Sequence, residues 1–234
     1  MHRPRREGAF SRLVPNSCVA YEITSDPANV VLFPEEEKFI VGAMPERRAE
    51  FATVRWCARQ ALVDLGSRPE PLVPGVRGAP NWPAGFVGSM THCTGYRAAV
   101  AATSLDLLAI GIDAEPHLSL PEEVLELVTT SAERRHLLEL SGQDPAKYWD
   151  RILFCAKEAV YKAWSSMTGR WLNFHDVGVH LTYSGVPGAD GCGKFAVRAL
   201  RTGSAATSGK LQAMQGRWSS SAGRAHTAVW LPGV

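Results

Sequence analysis

Between Arg151 and Trp164 the chain reads RILFCAKEAVYKAW. Its apolar residues Ile152, Cys155, Ala156, Ala159, Val160 and Ala163 recur at steps of three and four, the period of one stripe on an α-helix. Arg151, Glu158 and Lys162 fall on a flank of that stripe, and Lys157 lies further round, near Tyr161 and Trp164. Asp144 as cap and Pro145 as first helical residue predict a start there, with the helix running to about Ser166 and Gly169 beyond it. At 1.5 Å per residue it would span about 33 Å and form the spine of the second half. A second long helix is predicted from Pro45 to Leu65, stopped by Gly66. Phe51, Val54, Ala58, Ala61, Leu62 and Leu65 make its buried stripe, and Arg47, Arg48, Arg55 and Arg59 ride on its other faces. Pro34 opens an acidic turn, a short helix covers Glu122 to Val128, and Thr130-x-x-Glu133 is a capping box that starts a helix to about Leu140.

The remaining patterns are β. Val19 to Thr24 suits an edge strand, and Phe86 to Met90 with Tyr96 to Thr103 suits a hairpin. Leu107 to Ile112 is a continuous apolar run, hence a buried strand. Alternation along it puts Ala109, Gly111, Asp113 and Glu115 on one face, the small residues leaving open space before the two acids. Asp176 to Tyr183, Lys194 to Leu200, Leu211 to Ser219 and His226 to Leu231 are four more strand patterns, joined by flexible linkers rich in Gly, Ser and Ala. Residues 66–86 form an irregular Pro/Gly-rich loop carrying Arg77, and residues 1–18 a loose basic lead-in. The order predicts a mixed α/β (α+β) fold of two similarly laid-out halves, residues 1–115 and 116–234. Each is a long helix followed by hairpin strands.

Composition removes several function classes. The chain has 234 residues, 45% of them hydrophobic, and a net charge of +2. That supports a sizeable core but no strong field for nucleic acid or membrane. No helix–turn–helix, zinc motif or strong basic patch is present. The five cysteines are odd in number, widely spaced and without C-x-x-C, which argues against a disulfide framework or zinc site. The basic start MHRPRREGAF lacks the apolar segment of a signal peptide, and no run of about 18 apolar residues exists to span a bilayer. The expectation is a reduced, cytoplasmic protein.

The candidate chemistry lies in three places. Asp113 and Glu115, two residues apart on one strand face, repel unless a cation lies between them. Mg²⁺ favours such carboxylates together with substrate phosphates; the plainer alternative is a polar strand end before Pro116. Glu158 sits between basic residues at the edge of a buried face, and two of the chain's six lysines are beside it. A solvated i,i+4 pair worth ~0.3–0.5 kcal/mol is the alternative there. Arg55 lies seven and eight residues after Arg48 and Arg47, so the three point roughly one way, as a phosphate site or as a solvated basic face. His92 stands at a turn beside Ser89 and Thr91, a polar cluster suited to an anion or to structure alone.

GIDAEP at Gly111–Pro116 and FCAKEAVYKAW at Phe154–Trp164 resemble the two signature motifs of the 4′-phosphopantetheinyl transferases. RRAEFATVRWCAR at Arg47–Arg59 and GSMTHC at Gly88–Cys93 are also similar to that family, and the likeness runs from about residue 34 to 182. The match is to the Sfp-type branch, which is monomeric and modifies carrier proteins of siderophore, polyketide and non-ribosomal peptide synthesis. The resemblance implies a pseudo-dimer of two similar halves, each a long helix on a small antiparallel sheet, with coenzyme A in the cleft between them. It implies Mg²⁺-dependent transfer of phosphopantetheine from coenzyme A to a serine of an acyl or peptidyl carrier protein. Carried over by position, Asp113, Glu115 and Glu158 are the metal-binding acids, and Glu158 the base for the incoming serine. Lys157 and Lys162 bind the pyrophosphate. His92, Arg47 and Arg55 hold nucleotide phosphates, with Thr91 nearby. Either Arg47 or Arg48 faces the ligand. Some relatives carry a lysine where Pro74 stands here, and Arg77 is the basic residue this loop offers instead. Phe154, Trp164 and Trp171 are core aromatics or the lining of a channel for the pantetheine arm, and exposed apolar residues between Leu118 and Val128 are a docking place for the carrier. A hydrolase of coenzyme A or another nucleotide pyrophosphate, and a non-catalytic coenzyme A binding module, would draw on the same residues.

Overall fold

The computed structural model describes residues 8–75, 78–201 and 204–233. The chain begins with α1 (Ala9–Leu13), β1 (Val19–Ile23), α2 (Pro34–Glu37) and α3 (Pro45–Asp64), then β2 (Phe86–Cys93), β3 (Tyr96–Thr103) and β4 (Leu107–Pro116). It continues with α4 (Glu122–Val128), α5 (Ser131–Gln143), α6 (Trp149–Thr168), β5 (Val177–Leu181), β6 (Gly191–Ala199), α7 (Ala205–Gln212), β7 (Gln215–Ser221) and β8 (Arg224–Pro232). All strand pairs are antiparallel. One sheet has the order β1-β3-β2 and the other β4-β8-β7-β6-β5.

Each half therefore carries a 20-residue helix on an antiparallel sheet, α3 on the first and α6 on the second. The alternation of β3 explains how the layers meet. Ala99 and Ala101 face Cys57, Ala58, Ala61 and Leu62 of α3. Ala98, Val100 and Ala102 point the other way, into a core shared with Ile110, Ile112 and Ala114 of β4 and with Ala228 and Trp230 of β8. The opposite faces of β4 and β8 pack on Ile152, Cys155, Ala156, Ala159, Val160 and Ala163, the predicted stripe of α6.

Several expectations change. β4 pairs with β8, so the sheets part between Thr103 and Leu107, and β4, which falls within residues 1–115, joins the second sheet. The lead-in is not loose throughout. Phe10 and Leu13 of α1 are buried in the shared core, and Glu22 accepts from the Ala9 and Phe10 amides. Asp144 and Pro145 do not start α6. Asp144 is instead a buried hub that binds Lys147 Nζ (3.0 Å), Tyr183 Oη (2.9 Å) and the Gly188 amide. The linker after β6 holds α7, capped by Ser204 Oγ and anchored by the buried Leu211. The space before the acids of β4 is closed. A β-carbon on Gly111 would collide with the Ala159 carbonyl oxygen, so α6 lies directly on the strand there.

Candidate active site

A cleft of about 600 Å³ opens between the halves, walled by α3, Pro74 and residues 78–80, β2 and the second half of α6. Arg47, Glu50, Arg55, His92, Tyr161 and Lys162 are among its lining. Arg47 and Arg55, two turns apart on α3, both reach the cleft, while Cys57, Ala58 and Ala61 are buried against the sheet.

Arg47 Nη1 donates to His92 Nε2 at 2.7 Å. A guanidinium cannot accept, so this nitrogen is the unprotonated one. Burial lowers the His92 pKa, with Glu50 opposing and Arg47 adding to the effect. Arg48 turns elsewhere and pairs with Glu37, so Arg47 is the cleft residue of the two. Arg55 is buried. Its Nε donates to Leu72 O (2.9 Å) and its guanidinium lies over the Phe51 ring, 3.2 Å from the centroid. Burial lowers its pKa to about 10. Arg55 thus ties Leu72 to α3 while facing the cleft. Arg77 lies outside the described residues.

At the inner end of the cleft, Lys162 Nζ reaches Asp113 Oδ1 (2.7 Å) and Ile112 O (3.1 Å). The close seat of α6 on Gly111 brings this helix face to the end of β4. Asp113 is 5% exposed, and its Oδ2 is buried without a hydrogen-bond partner. Burial and then Asp113 raise the Glu158 pKa, with Lys162 opposing. Glu115 is raised by the same two causes, and Arg151 and Lys162 oppose. The three acids therefore share one electrostatic neighbourhood around a single ammonium. No group of three His, Cys, Asp or Glu side chains is drawn into ligating distance among the described residues. Hard oxygen donors, mutual repulsion and an orphaned carboxylate oxygen nevertheless fit a Mg²⁺ completed by substrate phosphates.

Two carried-over roles do not match their surroundings. Lys157 is 1% exposed and is used up inside the second half, where Nζ donates to Glu133 Oε2, Val128 O and Phe174 O within 2.8 Å. It does not reach the cleft. Thr91 is buried and faces Asp113 and the Ala114 amide instead of the cleft wall. Neither do the aromatics form a channel. Trp164 is buried in the core, Trp171 is exposed against Tyr161, and Phe154 packs near Phe174. Glu50, which the sequence reading passed over, lies 3.6 Å from His92 and 3.3 Å from Arg97. Its position one turn after Arg47 on α3 was the signal available.

Comparison with known proteins shows the family. The family described as the 4′-phosphopantetheinyl transferase N-terminal domain matches residues 35–102, and the 4′-phosphopantetheinyl transferase superfamily matches residues 109–216. The gap between them falls where the sheets part. The chain is 45% identical over 210 residues to the 4′-phosphopantetheinyl transferase PptT of Mycobacterium tuberculosis, covering 90% of each chain. It is 46% identical over 204 residues to Svp of Streptomyces mobaraensis, covering 87% of this chain and 80% of that one. It is 42% identical over 220 residues to Npt of Nocardia iowensis, covering 93% and 97%. Both are also 4′-phosphopantetheinyl transferases by name. With both family matches lying side by side along the chain and such relatives over most of its length, this protein belongs to the 4′-phosphopantetheinyl transferase superfamily and is a transferase of that class.

Proposed function

We propose that the protein moves the 4′-phosphopantetheine arm of coenzyme A onto a serine of an apo acyl or peptidyl carrier protein. The supporting observation is Lys162, which lines the cleft and also holds Asp113 at 2.7 Å. It joins an anion-binding wall to a cluster of acids. Arg47, His92 and Arg55 bind the nucleotide phosphates at the outer wall, where arginine forks match phosphate oxygens.

In the reaction, the serine Oγ attacks the phosphorus that carries the pantetheine arm. The bond from that phosphorus to the bridging pyrophosphate oxygen breaks, and adenosine 3′,5′-bisphosphate leaves with the electron pair. Asp113, Glu115 and Glu158 would hold Mg²⁺, whose charge neutralises the phosphate oxygens. Glu158 accepts the serine proton; its raised pKa brings it closer to the operating pH than an ordinary carboxylate. Lys162 meets the negative charge that builds on the pyrophosphate oxygens. The cleft fixes donor and acceptor in line.

The carrier docks beside the acids, where Leu118 and Leu127 are exposed. Arg151 holds this segment in place through Leu118 O and Ser119 O and offers positive charge to an acidic carrier. Among the described residues no helix is long and apolar enough to cross a membrane. The protein acts as a monomer in the cytoplasm, on carriers of polyketide, non-ribosomal peptide or siderophore synthesis.

Chromatography of adenosine 3′,5′-bisphosphate, with and without apo carrier, tests the reading. Release that needs the carrier is the expected result. Release without it would make the protein a pyrophosphate hydrolase. Bound coenzyme A with no release under any carrier would make it a binding module.

A further inference from the structure

Two buried hydroxyls join the halves. β2 is an edge of the first sheet and β4 an edge of the second, so one side of the β4 backbone has no partner strand. Buried amides left unpaired are costly. Ser89 Oγ accepts from the Ile112 amide at 3.0 Å, and Thr91 Oγ1 from the Ala114 amide at 3.2 Å. Thr91 does one thing that Ser89 does not: its hydroxyl donates to Asp113 Oδ1 at 3.1 Å.

A hydroxyl has one proton to give. That of Thr91 is committed to Asp113, and the side chain is only 2% exposed. Ser89, Met90 and His92 line the cleft, whereas Thr91 does not. Its hydroxyl is turned onto β4, where it meets Asp113 and the Ala114 amide. Asp113 Oδ1 thus receives two donors, Thr91 and Lys162, while Oδ2 has no N–H or O–H donor and the buried Cys155 thiol of α6 lies against the carboxylate. Two donors from different directions fix the rotation of the carboxylate, and no N–H or O–H group competes with a cation for its second oxygen.

We infer that Thr91 is a positioning residue that aims the Asp113 carboxylate across the seam between the halves, and is not a ligand of the nucleotide phosphates. The inference rests on the proposed reading of Asp113 as a Mg²⁺ ligand. Partners that orient a ligand typically change metal affinity by about 10–100-fold when removed.

The test uses the full chain. Mn²⁺ binding to the coenzyme A-saturated protein is titrated by electron paramagnetic resonance, and coenzyme A binding is measured separately by calorimetry in EDTA. Thr91→Val should weaken Mn²⁺ by about tenfold or more and leave coenzyme A binding in EDTA unchanged. Thr91→Ser should restore the metal affinity. Ser89→Ala, which loses a seam bond but no contact with Asp113, should melt lower and bind Mn²⁺ as wild type does. If Thr91→Val does not fold, Thr91→Cys, whose thiol is a weak donor, replaces it with the same two readouts. An unchanged Mn²⁺ affinity, or a loss of coenzyme A affinity in EDTA, would overturn the inference. Asp113→Asn separates the two levels. If it keeps full Mn²⁺ affinity, the metal reading falls and this role with it. If it loses affinity while Thr91→Val does not, only the role of Thr91 falls.

Discussion

Lys157 and Lys162 stand five positions apart on α6, which is about 500° of helical rotation, or about 140° net. They therefore face different surroundings. Lys162 enters the cleft, and Lys157 enters the core, where it neutralises Glu133. Helical spacing shows that the two lysines point different ways but not what Lys157 meets. That depends on α5, whose capping-box glutamate bonds Thr130 N, Val179 N and Lys157 together. Lys157→Ala strands a buried carboxylate, so a denaturant melt should lose about 3–5 kcal/mol, while the folded fraction keeps its KM for coenzyme A. A raised KM with unchanged stability would return Lys157 to the cleft. Arg55 combines both roles. Arg55→Ala should raise the KM for coenzyme A by about tenfold or more, because a charged donor is lost and the loop it anchors is released; an unchanged KM would make it structural only. Glu158→Gln should lower turnover by about 10²-fold or more with coenzyme A still bound. It should also change the pH profile of stability. A carboxyl whose pKa is raised by folding contributes stability below its unfolded value, and that contribution fades as pH rises through the folded value. The metal-free variant should then melt above wild type at neutral pH, the gap closing as pH falls. Parallel melting curves at every pH would remove the raised Glu158 from the account.

At the scale of elements, the seat of α6 on β4 sets the site. Gly111 has no β-carbon because the backbone of Ala159 occupies that place. Asp113, two residues on, consequently meets Lys162. Gly111→Ala should lift the helix from the strand. We expect a loss of about 1–3 kcal/mol in thermal or denaturant unfolding, the usual range for overpacking, together with weaker metal binding. A variant with wild-type stability would mean the contact is looser than described. This contact was half legible. Strand alternation correctly put Gly111, Asp113 and Glu115 on one face, but a run of small residues reads equally as open space or as close approach. The starts of α3 at Pro45 and of α5 after the Thr130 cap were legible, and the start of α6 was not. Asp144-Pro145 has the composition of an N-terminus, yet Tyr183, Lys147 and the Gly188 amide, all distant or local partners of a buried carboxylate, override it. α7 was hidden because Ala, Ser, Thr and Gly carry little periodic signal; its anchor is the single buried Leu211.

At the scale of the molecule, the two similarly laid-out halves were readable from the repeated order of long helix and hairpins, and the cleft between them only from the resemblance to the transferase family. The boundary was not. β4 follows β3 in sequence but joins β8, some 115 residues later, and only that long-range pairing shows that the acids of GIDAEP belong to the second sheet. The cleft then makes physical sense: one half supplies Arg47, Arg55 and His92, and the other supplies Lys162 and the three acids. Neither half alone holds both the anion-binding wall and the acid cluster. The most direct test is the intact mass of an apo carrier protein after incubation with this protein, coenzyme A and Mg²⁺. A gain of one phosphopantetheine, absent with EDTA and absent when the acceptor serine is replaced by alanine, is the predicted result. An unchanged carrier mass across acyl and peptidyl carriers, with coenzyme A bound in the cleft, would contradict it.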